Sequence, residues 1–171
     1  MHQPDVTAVF DLPDEAATQR LGQILAPLLK PGMVIHLEGD LGAGKTTLVR
    51  ALLRALGHTG PVKSPTYSLV EVYAVSSLYL YHFDFYRFES PEEFLDAGLG
   101  EYFHDASICL VEWPEKARGV APPADLSCRF EHAGDGRRAE LIPHSAAGEA
   151  CVKSLLSNFL DGASSSSPAR P

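Results

Sequence analysis

Residues 37–57 read LEGDLGAGKTTLVRALLRALG and join an apolar run to an amphipathic helix through a glycine-rich loop. Gly39, Gly44, Lys45 and Thr46 match the pattern G-x-x-x-x-G-K-[ST]. Glycines let successive backbone N–H groups point at phosphate oxygens, and the N-terminus of the following helix adds partial positive charge. We expect a solvated Lys45 to reach the β- and γ-phosphates and the Thr46 hydroxyl to ligate Mg²⁺. The predicted nucleotide-binding loop comprises Gly39, Asp40, Leu41, Gly42, Ala43, Gly44, Lys45, Thr46 and Thr47.

The base of the nucleotide is predicted from an element that the sequence lacks. Guanine-specific P-loop proteins usually carry an Asn-Lys-x-Asp element. The single asparagine of this chain, Asn158, lies in the segment NFLD and cannot form that element. ATP is therefore favoured over GTP.

Two carboxylates stand at the ends of apolar runs and are candidates for the metal-orienting acid that hydrolysis requires. The carboxyl ends of parallel strands next to a P-loop strand converge on the phosphates. Glu112 directly follows ICLV, and Asp84 ends a longer run in which it could also pair with Arg87. We predict that Asp84 and Glu112 act at the nucleotide, and either could be the closer partner of the metal.

Thr66 lies in the segment SPTY, between the P-loop helix and the next strand. P-loop switch proteins keep a residue that senses the γ-phosphate through Mg²⁺ in this position. Thr66 is therefore a candidate switch residue, and an ordinary turn threonine is the alternative. Trp113, which follows Glu112, is expected to be a core or interface residue.

The hydrophobic pattern around these motifs predicts an α/β fold. Pro27 should bend or shorten the first helix, and Gly57 should close the second. A capping box between Ser90 and Glu93 predicts a third helix from about Pro91. The predicted strands are 7–13, 33–39, 68–75, 78–88, 107–113, 126–132 and 137–143, and the predicted helices lie within 14–30, 45–57, 90–103 and 148–161. These elements predict a P-loop NTPase-type domain with a largely parallel central sheet, flanking helices and a C-terminal β-hairpin.

Composition indicates one globular domain. The 171 residues include 45% hydrophobic and 21% charged residues, without an apolar run of membrane-spanning length. We predict a domain at 1–161 and a disordered Ser/Pro tail at 162–171. The acidic N-terminus does not resemble a signal peptide, and three cysteines without a C-x-x-C pair favour a reducing cytoplasm. The net charge of −8 opposes direct gripping of a nucleic-acid backbone.

Taken in order, the segments GDLGAGKTT, SPTY, HFDFYR and VEWPEK closely resemble the bacterial TsaE family. The resemblance covers roughly residues 7–145 and implies a small α/β P-loop ATPase. It further implies action with the TsaB and TsaD proteins, which attach a threonylcarbamoyl group to adenosine 37 of ANN-decoding tRNAs. Because those partners carry the modification chemistry and much of the tRNA contact, an acidic ATPase is compatible with this role.

The resemblance also assigns individual residues. It maps the P-loop lysine and threonine of the family onto Lys45 and Thr46, and its switch threonine onto Thr66. Its aspartate maps onto Asp84, and its Glu-Trp pair onto Glu112 and Trp113. Arg137, in the GDGR turn of the hairpin, is placed near the nucleotide by the same analogy, although charged hairpin tips are usually only solvated.

Two other functions remain open from the residues. A small-molecule kinase would be expected to carry an arginine-rich lid, and between Asp84 and Glu112 the chain has only Arg87. A nucleotide-gated scaffold without useful hydrolysis is the second alternative, because no catalytic base or arginine finger is evident in the sequence.

Overall fold

A seven-stranded mixed sheet forms the centre of the computed structural model, which describes residues 6–165 and the side chains of residues 6–158. The strand order is β1-β7-β6-β2-β5-β4-β3. The central neighbours β6, β2, β5 and β4 are parallel, whereas β1, β7 and β3 pair antiparallel at the two sides. The strands are β1 Ala8–Leu12, β2 Val34–Glu38, β3 Val70–Val75, β4 Leu78–Asp84, β5 Ser107–Glu112, β6 Leu126–Ala133 and β7 Gly136–Pro143. The predicted α/β fold with a largely parallel centre and a C-terminal hairpin is confirmed.

Burial follows the strand positions. All six residues of β5 are buried, as expected for a central parallel strand with both faces covered. Side chains alternate along β4 and β5, so Leu80 and Leu110 join the core on one face while Phe83 and Val111 join an aromatic core on the other. By the same alternation, His82, Asp84 and Glu112 share the face of Leu80 and Leu110.

The three longer helices cover that face. They are α1 Glu15–Leu25, α2 Lys45–Ala55 and α4 Ala146–Ser165. A 3₁₀ turn, Ala26–Leu28, follows α1 at Pro27, which confirms the predicted shortening. Beyond α2, Gly57 has a φ of 106° and lies just outside the helix, as predicted.

The third predicted helix begins later and is much shorter than the sequence indicates. Helix α3 is only Glu93–Asp96, and a 3₁₀ turn at Leu99–Tyr102 follows. The Glu93 carboxylate does accept from the N–H groups of Glu89 and Ser90, so half of the predicted capping box exists. Gly98, with a φ of 67°, follows the helix and accounts for its early end. The helix was predicted from about Pro91 and begins two residues later, at Glu93.

Helix α4 continues to Ser165, four residues into the predicted tail. Residues 166–171 of that tail lie outside the described part of the chain, so the boundary at 161 stays a prediction. Within residues 6–165, no helix is long and apolar enough to cross a membrane.

The packing of α1 on α2 predicts a large effect of one methyl group. A Cβ at Gly22 would lie 2.5 Å from the Ala51 Cβ and 3.3 Å from the Leu52 nitrogen. Gly22→Ala should gain about 1 kcal/mol of helix propensity but lose more through overpacking, for a net loss of roughly 1–2 kcal/mol. Thermal unfolding should show a Tm lowered by roughly 2–8 °C.

Gly100→Ala is the matched control, because the nearest atom to its added Cβ is Phe94 Cε1 at 3.8 Å. A Gly22→Ala variant as stable as the parent would contradict the close helix contact.

Candidate functional site

The loop between β2 and α2 adopts backbone conformations that favour glycine. Gly44, with a φ of 108°, precedes α2 and leaves the first N–H groups of the helix without a side-chain cap. Gly39 has a φ of 140°, and a Cβ there would lie 2.7 Å from the Phe130 carbonyl oxygen. The loop thus packs closely on β6. The uncapped N–H groups at the start of α2 are free to bind an anion in the site.

Lys45 is buried, not solvated as the sequence predicts. It is only 4% exposed, and its Nζ donates to the Gly39 carbonyl oxygen at 2.5 Å. The same Nζ lies 3.7 Å from Glu112 Oε1 and 4.6 Å from the centre of the Trp113 ring. The sequence could not indicate this burial, because the groups that enclose the lysine stand at the ends of β4 and β5.

The two strand-end carboxylates lie side by side. Asp84 and Glu112 are register partners on the parallel strands β4 and β5, and both are buried. Glu112 Oε2 accepts from His82 Nε2 at 2.7 Å, and Asp84 Oδ1 accepts from the Tyr86 N–H at 2.9 Å. Burial raises the pKa of the Asp84 carboxyl; the Tyr86 hydrogen bond opposes this rise and the Glu112 carboxylate adds to it.

A cavity of about 340 Å³ joins these groups to the loop. Asp84 and Glu112 line it beside the start of α2, where Lys45 and Thr46 stand. The predicted site residues that line the cavity are Leu41, Gly42, Gly44, Lys45, Thr46, Thr47, Thr66, Asp84, Glu112 and Arg137. Gly39, Asp40 and Ala43 are not among its lining residues; Ala43 is buried, and the Asp40 carbonyl oxygen accepts its N–H at 3.1 Å.

Arg137 reaches from the hairpin to the loop. Its two terminal nitrogens donate to the Gly42 carbonyl oxygen at 3.0 Å and to the Gly136 carbonyl oxygen at 2.9 Å. Its Nε is buried without a hydrogen-bond partner. The guanidinium therefore braces the P-loop from β7 and borders the cavity.

Thr66 lines the cavity from the segment before β3. Its hydroxyl is 2.6 Å from the Ser64 hydroxyl, and both residues line the cavity. The next residue, Tyr67, is 84% exposed, and Arg87 lies over its ring at 4.3 Å. Arg87, the alternative partner proposed for Asp84, is thus engaged with this segment.

Several residues of the site were not predicted from the sequence. His82 contacts Glu112, and its position two residues before Asp84 on the same strand face was the available signal. The start of α1 also borders the cavity through Asp14, Glu15 and Thr18, for which the sequence contains no comparable motif. Trp113, expected in a core or interface, lines the cavity and contacts Tyr86 with ring centroids 5.1 Å apart.

The fold and the loop together define an α/β protein of the P-loop class. The sequence matches the family model described as "Threonylcarbamoyl adenosine biosynthesis protein TsaE" over residues 12–140. The chain belongs to the TsaE family, which confirms the resemblance noted from its motifs.

Individual relatives agree with this assignment. The tRNA threonylcarbamoyladenosine biosynthesis protein TsaE of Haemophilus influenzae is 43% identical over 153 residues, covering 86% of this chain and 94% of that protein. Its namesake in Bacillus subtilis is 43% identical over 121 residues, or 71% of this chain and 75% of that protein. The crystal structure of Bacillus subtilis YdiB superposes with a TM-score of 0.79 at 31% identity, covering 93% of this chain and 99% of that one.

The buried lysine predicts a specific loss on substitution. Lys45→Met keeps the aliphatic stem but removes the charge, so ATP should bind at least about tenfold more weakly, as expected for the loss of a hydrogen bond to a charged group. Isothermal titration with ATP and Mg²⁺ measures this, and thermal unfolding checks that the variant is folded. Lys153→Met, on the exposed face of α4, is the matched control. Parental ATP affinity in Lys45→Met would refute the phosphate-binding role of the loop.

Proposed function

We propose that this chain is a Mg²⁺-dependent ATPase that works with TsaB and TsaD in the formation of tRNA threonylcarbamoyladenosine. The observation that carries the proposal is the convergence of Lys45, Asp84 and Glu112 on one P-loop cavity. The family and the printed names of the relatives support the pathway. ATP is preferred over GTP in this proposal because the sequence lacks a guanine-specific element.

The chain's own groups can account for phosphate binding. The uncapped N–H groups at the start of α2 face the cavity and are donors for phosphate oxygens. Lys45 exchanges its contacts with Gly39 and Glu112 for the β- and γ-phosphates, and Arg137 holds the loop in shape. These groups place positive charge where negative charge grows during phosphoryl transfer.

The acidic groups fit a magnesium ion bound mainly through the nucleotide. Within the described residues no cluster of three or more His, Cys, Asp or Glu side chains could hold a metal alone. Mg²⁺ at nucleotide sites typically takes one or two protein ligands, phosphate oxygens and water, so Thr46 with one carboxylate suffices. Bound there, the ion would neutralise charge on the β- and γ-phosphates.

Asp84 is the better of the two carboxylates for the metal. Glu112 has one oxygen hydrogen-bonded to His82 and the other facing Lys45. The Asp84 carboxyl has a raised pKa beside a second acid, so added positive charge would relieve an unfavourable environment. In this arrangement Thr46 and Asp84 would hold the metal, and Glu112 would stand beside them, facing Lys45.

Partners complete the catalytic apparatus in this proposal. Lys45 and Arg137 are the basic side chains among the residues that line the cavity, and Arg137 is already held by two backbone carbonyl oxygens. No side chain there is a free arginine finger. Thr66 and the exposed Tyr67 form a segment that could become ordered on ATP binding and face a partner. TsaB and TsaD would then contact the tRNA in a cytoplasmic complex, so this acidic chain would not need to bind the tRNA itself.

Phosphate release tests the function directly. The purified chain alone should hydrolyse ATP slowly, and the addition of TsaB, TsaD and tRNA should accelerate release by roughly 10³-fold or more if a partner supplies an arginine finger. Rapid release that ignores the partners, with phosphoryl transfer to a small acceptor, would favour a kinase. Binding of ATP without partner-stimulated release would favour a nucleotide-gated scaffold.

The carboxylates should affect turnover more than binding. Asp84→Asn and Glu112→Gln are expected to lower kcat by at least about tenfold and to change ATP affinity by less than about threefold, because charge orientation matters most in the transition state. Steady-state kinetics with the partners present separates kcat from KM. Glu101→Gln is the control, because Glu101 is an exposed acid outside the cavity. If Asp84→Asn and Glu112→Gln both keep the parental kcat, the strand-end acids have no catalytic role.

A further inference from the structure

His82 is a buried polar residue at the base of the candidate site. It is 1% exposed, stands on β4 two residues before Asp84, and pairs in register with Leu110 of β5. From there its Nε2 reaches diagonally to Glu112 Oε2 at 2.7 Å. His82 does not line the cavity, so any contribution to the chemistry is made through Glu112.

The hydrogen-bonding pattern defines how the imidazole is used. Glu112 Oε2 is an acceptor, so the ring must donate from Nε2. The Nδ1 atom is buried without a hydrogen-bond partner. A hydrogen on Nδ1 would be a buried donor without an acceptor, so the ring form that donates from Nε2 fits the site. His82 is thus a fixed donor aimed at one oxygen of the carboxylate.

The other oxygen of the same carboxylate faces Lys45 across 3.7 Å. That separation exceeds the 2.7–2.9 Å of a close charge-assisted hydrogen bond, although both groups are buried and attract each other. The Lys45 Nζ instead donates to the Gly39 carbonyl oxygen. Glu112 and Lys45 therefore do not form a close ion pair in this structure.

We propose that His82 is a positioning residue that anchors Glu112 away from Lys45 and so keeps the lysine ammonium available for phosphate. Without the His82 donor, Glu112 Oε2 would be a buried charged acceptor with no partner, which is strongly unfavourable unless the group moves. The nearest cation is Lys45. The carboxylate would close on Nζ, and the lysine would then have to leave a tight pair before it could meet a phosphate.

One part of the test is independent of activity. Trp113 is the single tryptophan, and its ring is 4.6 Å from Lys45 Nζ, so its fluorescence reports the position of that charge. His82→Leu removes the donor, whereas the Gln side chain can place its amide N–H near the original Nε2. In the isolated chain without nucleotide, His82→Leu should change Trp113 emission and His82→Gln should retain the parental spectrum. His104→Gln is the control, because His104 is exposed at the opposite end of β5.

The second part rests on the proposed ATPase function. With partners present, His82→Leu should lower kcat by about 10–100-fold. This range is typical when a residue that hydrogen-bonds and orients a metal-coordinating side chain is removed, and His82 orients Glu112 in the same way. KM for ATP should rise by at least about threefold as well, because a lysine paired with Glu112 binds phosphate less well. His82→Gln should recover most of both kcat and KM. Circular dichroism and thermal unfolding establish that the compared variants are folded.

The outcomes separate the two claims. Folded Leu and Gln variants with equal losses of kcat, or a Leu variant with parental kcat and emission, would overturn the positioning role. If His82→Leu does not fold, His82→Gln decides: parental emission with kcat within about fivefold of the parent supports the role, and a folded variant with a larger loss refutes it. A parent that releases no phosphate even with TsaB and TsaD refutes the proposed ATPase, while the emission comparison still tests how Glu112 is held.

Discussion

A buried ammonium group requires acceptors close to it, and the site around Lys45 is organised by that requirement. The Gly39 carbonyl oxygen receives its hydrogen bond, Glu112 supplies the opposite charge, and the face of Trp113 adds a cation–π contact. These three groups come from the end of β2, the end of β5 and the residue that follows it. The lysine can occupy its position only if the two strands end at the same level.

The sheet meets this condition through its register. β2 and β5 are parallel neighbours with Leu37 opposite Glu112, and β5 and β4 are parallel neighbours with Glu112 opposite Asp84. A shift of one residue in either strand would turn the carboxylate to the aromatic face, where Phe83 and Val111 are buried. The apolar cores on the two faces therefore help to fix the acidic groups, since a shift would also move large side chains of β4 and β5 from one core into the other.

Features that depend on neighbouring residues could be predicted from the sequence. The P-loop, the buried β5 ending in Glu112 and the hairpin of β6 and β7 all follow from spacing, alternation and turn residues. Prediction failed for features that depend on contacts between distant segments of the chain. The residues next to Lys45 do not indicate its burial, because Glu112 and Trp113, which help to enclose it, lie much further along the chain. The length predicted for helix α3 was wrong for another reason. Its capping residues are present, but Gly98 adopts a left-handed conformation soon after the helix begins.

Trp113 connects the buried site to the protein surface. It has a φ of 56°, a left-handed conformation that non-glycine residues seldom adopt, and it occurs directly after the strand that supplies Glu112. In this conformation one side of its ring faces Lys45 and its neighbour Tyr86 remains 45% exposed. Any movement of Lys45 changes what lies against the indole, and the indole packs against Tyr86, which is partly exposed. Trp113 alone therefore separates Tyr86 from the buried charge, which makes a short and physically continuous route from the site to the protein surface.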